Sequence, residues 1–180
     1  MRLLPLLALL LLLPAPAPAE VTVSTSEDHY IVEGSTMAQI LAYYRQREDK
    51  YTAYARPHFK YSYTWLQQGG ACTVTEVKVH LHILYIYPRL ANPTGKFTAH
   101  WWDVTLKQLA RHEHIHGDIS RDAANELERE ILTVRGVPCS TIKSVVAARA
   151  SRVLQDHRRR QQEYDRITEH GLKQERYRGR

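Results

Sequence analysis

Apolar and polar residues alternate with a period of two along residues 58–67 and again along residues 72–87. Within the second run, every other residue from Val77 to Tyr85 is apolar. Successive side chains of a strand point to opposite faces, so both runs predict half-buried β-strands. Gly69 and Gly70 lie between the two runs, and a glycine turn in that position predicts an antiparallel hairpin. We expect Pro88 to end its second strand.

The pattern changes to a helical period after about Ala99. Apolar residues then recur at intervals of three and four residues to about Val134, which predicts one long amphipathic helix ended by Gly136. A second helical stripe starts after Pro138 and predicts another long helix that reaches about Asp165.

The start of the chain adds a strand and a shorter helix to this picture. Residues 28–34 are predicted to form a strand, and Met37 to Arg47 a helix with Ser35 or Thr36 as its N-cap. Strands followed by helices are typical of the α+β class. We therefore predict a small antiparallel sheet, with a long hairpin, packed on two long helices.

Residues 1–19 have the layout of a secretory signal peptide. Arg2 supplies the positive charge, Leu3 to Leu13 the apolar run, and Ala17 to Ala19 the small residues of a cleavage site. The run is shorter than the roughly 20 residues of a membrane-spanning helix. We expect cleavage after Ala19 and an exported chain, periplasmic or secreted, in which residues 20–180 form one domain.

Cysteine content and charge narrow the expectations further. Cys72 and Cys139 are the two cysteines of the chain, and in an oxidising compartment they are predicted to form a disulfide. The net charge is +6, and the excess lies from Arg149 onward, where ten basic residues face five acidic ones. Such a tail can attract nucleic acid, but an exported protein does not meet it, so we expect no nucleic-acid partner.

The first long helix contains an HExxH segment, His112 to His116. Residues four apart on a helix share a face, so the imidazoles of His112 and His116 can bind one Zn²⁺ at about 2.0–2.1 Å. Glu113 lies beside them, where it can take a proton from a zinc-bound water as general base. The segment predicts a zinc-dependent hydrolase with His112 and His116 as metal ligands and Glu113 as the catalytic residue.

A catalytic zinc site needs a third protein ligand, for which the chain offers several candidates. Asp122 lies ten residues after His112, where some zincins place a ligand after a glycine turn, but Ile119 occupies the glycine position. On an unbroken helix Asp122 does not reach the metal. His170 reaches it if the chain folds back after the second long helix. Weaker candidates are His80, His82 and His100.

Several segments together resemble a bacterial family of domains of unknown function, whose members are predicted secreted zinc-dependent proteases. The similarity runs from Tyr30–Thr36 (YIVEGST), through the strand ending at Trp65 and the HExxH segment, to Tyr164–Gly171 (YDRITEHG). This resemblance implies a zincin-like fold, a Zn²⁺ cofactor and a peptide or protein substrate. It also makes His170, within the last segment, the preferred third ligand.

Two functions follow from these observations. The first is a zinc peptidase, whose site keeps an open coordination position. The alternative is a non-catalytic envelope module, which binds zinc structurally in a closed four-ligand site or binds a protein partner through its basic C-terminal helix. Gly117, Thr168 and Glu169 have no assigned role in either. The chain after Gly171 is short and basic, so we expect it to contribute little to the site.

Overall fold

The computed structural model of the protein describes residues 19–47, 52–92 and 95–177. Apart from Ala19, the predicted signal peptide therefore lies outside the described residues. The α+β class is confirmed. The described residues form seven helices and strands and a final 3-10 turn: β1 (Ala19–Val32), α1 (Met37–Gln46), β2 (Tyr54–Gln68), β3 (Ala71–Leu90), α2 (Lys96–Leu132), β4 (Val137–Pro138), α3 (Ile142–Thr168) and the turn Gln174–Arg176.

The predicted hairpin is present and is longer than predicted. β2 and β3 pair antiparallel, with Phe59 opposite Leu81, around the turn at residues 69–70. β3 does not end at Pro88 but continues to Leu90. The pairing with β2 stops at Ile86, so β3 has only β1 as its neighbour at Pro88, and the missing N–H removes no bond on the β2 side.

The sheet is mixed rather than purely antiparallel. Its order is β1-β3-β2, with β4 paired to the start of β3, and β1 runs parallel to β3 from Ala19↔Val77 to Val32↔Leu90. β1 also starts well before the predicted residue 28. Because almost all of its side chains up to His29 are exposed, this edge strand lacks the apolar face that would have predicted it.

The core lies between the helices and one face of the sheet. The alternating apolar residues of β3, Val77 to Ile83, are buried there. Leu127 and Ile131 of α2 and Val146 of α3 pack against them. Burying each such side chain contributes about 1.5–3 kcal/mol. Across the described ranges, none of the helices has both the length and the apolar character that crossing a membrane requires.

The predicted disulfide between Cys72 and Cys139 is confirmed, with its Cα atoms 4.9 Å apart. It ties the start of β3 to the connection between α2 and α3. The amide of Val74 reinforces this tie by donating to the carbonyl of Val134 at 2.9 Å. The ends of the two long helices are thereby held at a fixed position on the sheet, and a disulfide is compatible with export.

Gly117, unassigned from the sequence, is a point of close contact between α2 and β3. A Cβ atom built at Gly117 would lie 2.0 Å from Oη of Tyr85 and 3.1 Å from Cζ. Tyr85 itself is buried against the helix. The absent side chain therefore lets the turn of α2 that follows His116 lie directly on the sheet.

We expect Gly117→Ala to lower the free energy of unfolding by about 1–3 kcal/mol, because it overpacks this contact. On a solvent-exposed helix face, replacing glycine with alanine would instead raise the free energy of unfolding by up to about 1 kcal/mol. The comparison uses urea unfolding in the wild-type and Tyr85→Phe backgrounds. Removing Oη should recover part of the loss, and an equal loss in both backgrounds would contradict this account of Gly117.

Candidate metal centre

α2 places the imidazoles of His112 and His116 on one face, one turn apart, as the HExxH spacing predicted. Their ring centroids are 4.7 Å apart and their Nε2 atoms 3.2 Å apart. Both residues lie in the middle of a long helix that packs on the sheet and on α3, so their backbone is held on two sides. His112 is buried, and the side chain of His116 is only 12% exposed.

α3 contributes a carboxylate at the same point. Oδ1 of Asp165 lies 3.1 Å from Nε2 of His112 and 3.0 Å from Nε2 of His116. The three atoms form a nearly equilateral triangle. An ion about 2.0–2.1 Å from each would sit roughly 1 Å above the triangle, close to the arrangement of tetrahedral zinc. Among the described residues, this is the group of three whose atoms are close enough to share a metal ion.

The charge state of Asp165 suits a metal ligand. Burial alone would raise the pKa of this carboxyl, but the hydrogen bonds and charges of His112 and His116 outweigh burial and hold the pKa well below its usual range. Asp165 is therefore an anion at neutral pH. Two imidazoles and one carboxylate form a donor set that is common in catalytic zinc sites, so the residues present fit this ion.

Glu113 lies beside the triangle in a cavity of about 340 Å³. Residues 52–57, at the start of β2, form one wall of the cavity, and α2 and α3 form the other. Glu113 is 5% exposed, and its carboxyl group hydrogen-bonds to the backbone of Ala55. Burial raises the pKa of Glu113. This places a carboxylate of increased basicity next to the two imidazoles.

The second ring nitrogen of each histidine meets a glutamine. Nδ1 of His112 lies 3.1 Å from Oε1 of Gln174, and Nδ1 of His116 is hydrogen-bonded to Oε1 of Gln161. Gln161 belongs to α3, and Gln174 to the chain that follows it. The buried ring of Tyr164 stacks on His112 at a centroid distance of 4.7 Å and meets His116 edge-on. The glutamines and Tyr164 thus hold both imidazole rings in one orientation.

The chain reverses direction directly after α3. Glu169, His170 and Gly171 have φ angles of 49°, 55° and 88°, all in the left-handed region. A Cβ atom at Gly171 would lie 3.2–3.5 Å from atoms of the His112 side chain, so a glycine there allows the backbone to lie against the imidazole. The reversal brings residues 169–177, which we call the return segment, over the site.

The return segment also explains two residues without an assigned role. Oγ of Thr168 donates to the carbonyl of Tyr164 at 2.8 Å and accepts from the amide of Gly171 at 3.3 Å. The carboxylate of Glu169 contacts Lys173 at 2.6 Å and Arg176 at 2.9 Å. Both residues hold the reversed chain in place. The expectation that the chain after Gly171 adds little to the site was wrong, because it supplies Gln174.

The other candidate ligands lie outside the triangle. His170 is 66% exposed at the mouth of the cavity, with Nδ1 3.6 Å from Oδ1 of Asp165. Its assignment as a ligand stays a prediction. α2 is unbroken, and Asp122 lines a different cavity from Glu113. His80 and His82 contact Thr22 and Ser24 on β1, and His100 is exposed near the start of α2.

Comparison with known proteins identifies a family. A model of the DUF922 family, described as bacterial protein of unknown function, matches residues 27–171. The matched range contains His112, Glu113, His116 and Asp165 and stops before Gln174. No curated protein and no solved structure matches the chain.

Zinc titration of single variants separates Asp165 from His170 as the third ligand. We expect His112→Ala and Asp165→Ala to weaken zinc binding by well over the roughly 10–100-fold that loss of an outer-shell partner costs. His170→Ala, matched to them in size, should retain wild-type affinity. Loss of zinc in His170→Ala, with retention in Asp165→Ala, would contradict the triangle and support the ligand that the resemblance implies.

His157 generates a pH dependence of stability. Burial, together with the charges of Arg160 and Arg158, lowers the pKa of this imidazole to about 4. Because the folded pKa lies below the ordinary value of about 6.5, the stability is fully present above pH 6.5 and is lost as the pH falls toward 4, by up to roughly 3 kcal/mol.

His157→Gln should remove this loss and keep a side chain that can hydrogen-bond. Urea unfolding of the chelator-treated protein between about pH 7 and pH 4 measures the effect, and the other acidic groups are common to both proteins. Parallel pH profiles for the wild type and the variant would show that His157 is not the group responsible.

Proposed function

The chain belongs to the bacterial DUF922 family, and we propose that it is an exported zinc-dependent hydrolase that cleaves peptide bonds. The observation that carries the proposal is the triangle of His112, His116 and Asp165 with Glu113 beside it in an open cavity. A purely structural site would need a fourth protein ligand to close it. Three protein donors next to a buried carboxylate leave room for water and substrate instead.

His112, His116 and Asp165 would hold the ion, and Glu113 would move the proton. Bound zinc supplies a Lewis acid that polarises the scissile carbonyl and makes water more acidic. Glu113 accepts a proton from the attacking water as its oxygen bonds to the carbonyl carbon. It returns that proton to the nitrogen when the C–N bond breaks. The raised pKa of Glu113 suits both halves of this exchange.

The position of β2 supports an extended peptide as substrate. Among the described strands, β2 pairs with β3 alone, so its other edge is open. The backbone of Ala55, near the start of this strand, already hydrogen-bonds to Glu113. A peptide that adds to the edge beside residues 54–57 would place a carbonyl group next to the metal site. Pro57 lacks an N–H and would keep that pairing short.

Tyr54 lines the cavity, whereas three aromatic residues further along β2 have a different role. Phe59, Tyr61 and Tyr63 point to the helix side of the sheet and pack against the main core. They support the strand that forms the cavity wall, and they are not part of the cavity lining. Substrate recognition would therefore depend mainly on the backbone of residues 52–57 and on the side chains at the cavity mouth.

Glu113→Gln tests the proposed reaction most simply. It preserves shape but cannot accept a proton, so we expect cleavage of an unfolded protein such as casein to fall by roughly 10²–10⁴-fold, with zinc content unchanged. Asp122→Asn is the matched control on the same helix and should cleave at the wild-type rate. Undiminished cleavage by the zinc-loaded Glu113→Gln protein would contradict the mechanism. Coordination by His170 as a fourth ligand would favour a non-catalytic zinc module.

A further inference from the structure

The two ligand histidines are supported by amide oxygens and not by carboxylates. In each ring, Nε2 points into the metal triangle and Nδ1 contacts Oε1 of a glutamine, Gln174 for His112 and Gln161 for His116. An amide oxygen can only accept a hydrogen bond, so the hydrogen of each neutral ring must be on Nδ1. Nε2 is then the ring nitrogen that faces Asp165 in the metal-free protein and that would bind a metal ion.

The amide of Gln161 is held in one orientation. Its Nε2 lies 3.0 Å from the carbonyl oxygen of His116, which can only accept, so this atom must be the donor. The same nitrogen contacts Oγ of Ser120 at 3.0 Å and Nε2 of His157 at 2.8 Å. Rotating the amide by 180° would bring two acceptor oxygens together. The hydrogen of His116 is therefore fixed on Nδ1 by the helix pair itself.

Within the described part of the chain, the amide of Gln174 bonds only to His112 and Tyr164 and has no partner that fixes its orientation in this way. Its Oε1 accepts from the hydroxyl of Tyr164 at 2.8 Å, but that hydroxyl also lies 3.4 Å from the carbonyl oxygen of His112. A hydroxyl can both donate and accept. If the amide turned over, Tyr164 could donate to the carbonyl and accept from the amide nitrogen. Nδ1 of His112 would then become an acceptor.

The turned-over state would have its own stabilising bond. With Nδ1 as acceptor, the hydrogen of His112 would be on Nε2, where Oδ1 of Asp165 lies 3.1 Å away and can accept it. That tautomer has no lone pair to offer a metal ion. The two states of His112 thus differ in which side of the ring is bonded, and Gln174 is the residue that selects between them.

We propose that Gln161 and Gln174 are positioning residues that keep the hydrogen of both ligand imidazoles on Nδ1, and that the return segment controls His112 through Gln174. The inference rests on the proposed zinc site. Under this proposal, the packed helices orient one ligand, His116, and the C-terminal chain orients the other, His112. The return segment is held in turn by Glu169, Gly171 and the edge-on contact of Tyr177 with Tyr164.

Nitrogen NMR of the metal-free protein reads the tautomers directly. With ¹⁵N-labelled histidine, we expect Nδ1 of both His112 and His116 to carry a hydrogen; a second hydrogen on Nε2 of His116, donated to Asp165, is compatible with this expectation. Gln174→Met keeps the length of the side chain but removes the acceptor, and should move the hydrogen of His112 toward Nε2 while His116 stays unchanged. Gln161→Met should affect His116 and leave His112 unchanged.

Zinc affinity provides a second, asymmetric readout. Gln174→Met should weaken zinc binding by roughly 10–100-fold, whereas Gln174→Glu, which only accepts, should bind at least as tightly as the wild type. Gln161→Glu should bind more weakly, because it loses the donor that faces the His116 carbonyl. Thermal unfolding identifies any variant that fails to fold. If a glutamate variant fails, the tautomers of the methionine variant at the same position are compared with those of the wild type instead.

The results separate this inference from the proposed function. A wild-type His112 with its hydrogen on Nε2, or a Gln174→Met protein with unchanged tautomers, would overturn the positioning role whatever the protein does with zinc. If Gln161→Glu and Gln174→Glu changed zinc affinity equally, the two glutamines would not have the different roles proposed for them. Correct tautomers in a protein without peptidase activity would uphold the positioning role and remove the proposed reaction alone.

Discussion

The structure depends on the meeting of α2 and α3 at one point, where a carboxylate of α3 lies between two imidazoles of α2. Asp165 contacts Nε2 of His112 and His116 at 3.1 and 3.0 Å. Such a buried polar cluster is costly unless each member is satisfied. Here Nδ1 of each imidazole bonds to a glutamine, and the aromatic ring of Tyr164 stacks on His112. α2, α3, the return segment and the cavity all meet at this cluster.

The rest of the chain fixes the position of α2 and α3 relative to each other and to the sheet. Apolar residues on one face of β3 seat both helices, and the absent side chain of Gly117 lets α2 lie directly on Tyr85. The disulfide fixes the far end of the helix pair. The start of β2 forms the cavity wall, so the edge that could receive a peptide is part of the same sheet as the core.

Periodicity predicted the parts of the fold that bury an apolar face. The hairpin and both long helices have this property and were predicted from the sequence. The disulfide was predicted on a different ground, from two cysteines in a chain expected to be exported. The first half of β1 was not predicted, because an exposed edge strand carries no such pattern.

In the site, the HExxH spacing predicted a shared face for His112 and His116, since residues four apart on a helix lie one above the other. Asp165 was missed although it lies in the segment already singled out, because its approach depends on how α3 packs on α2. Gln174 was missed for the same reason, since the chain reversal after Thr168 decides what lies behind His112.

The most direct test of the account is the coordination of zinc itself. X-ray absorption of the zinc-loaded protein at the zinc edge should show two imidazole nitrogens and oxygen donors, at about 2.0–2.2 Å. The oxygen donors would be Asp165 and an exchangeable water. A protein that does not hold stoichiometric zinc, or a zinc shell of three imidazoles that Asp165→Ala leaves unchanged, would contradict the triangle of His112, His116 and Asp165.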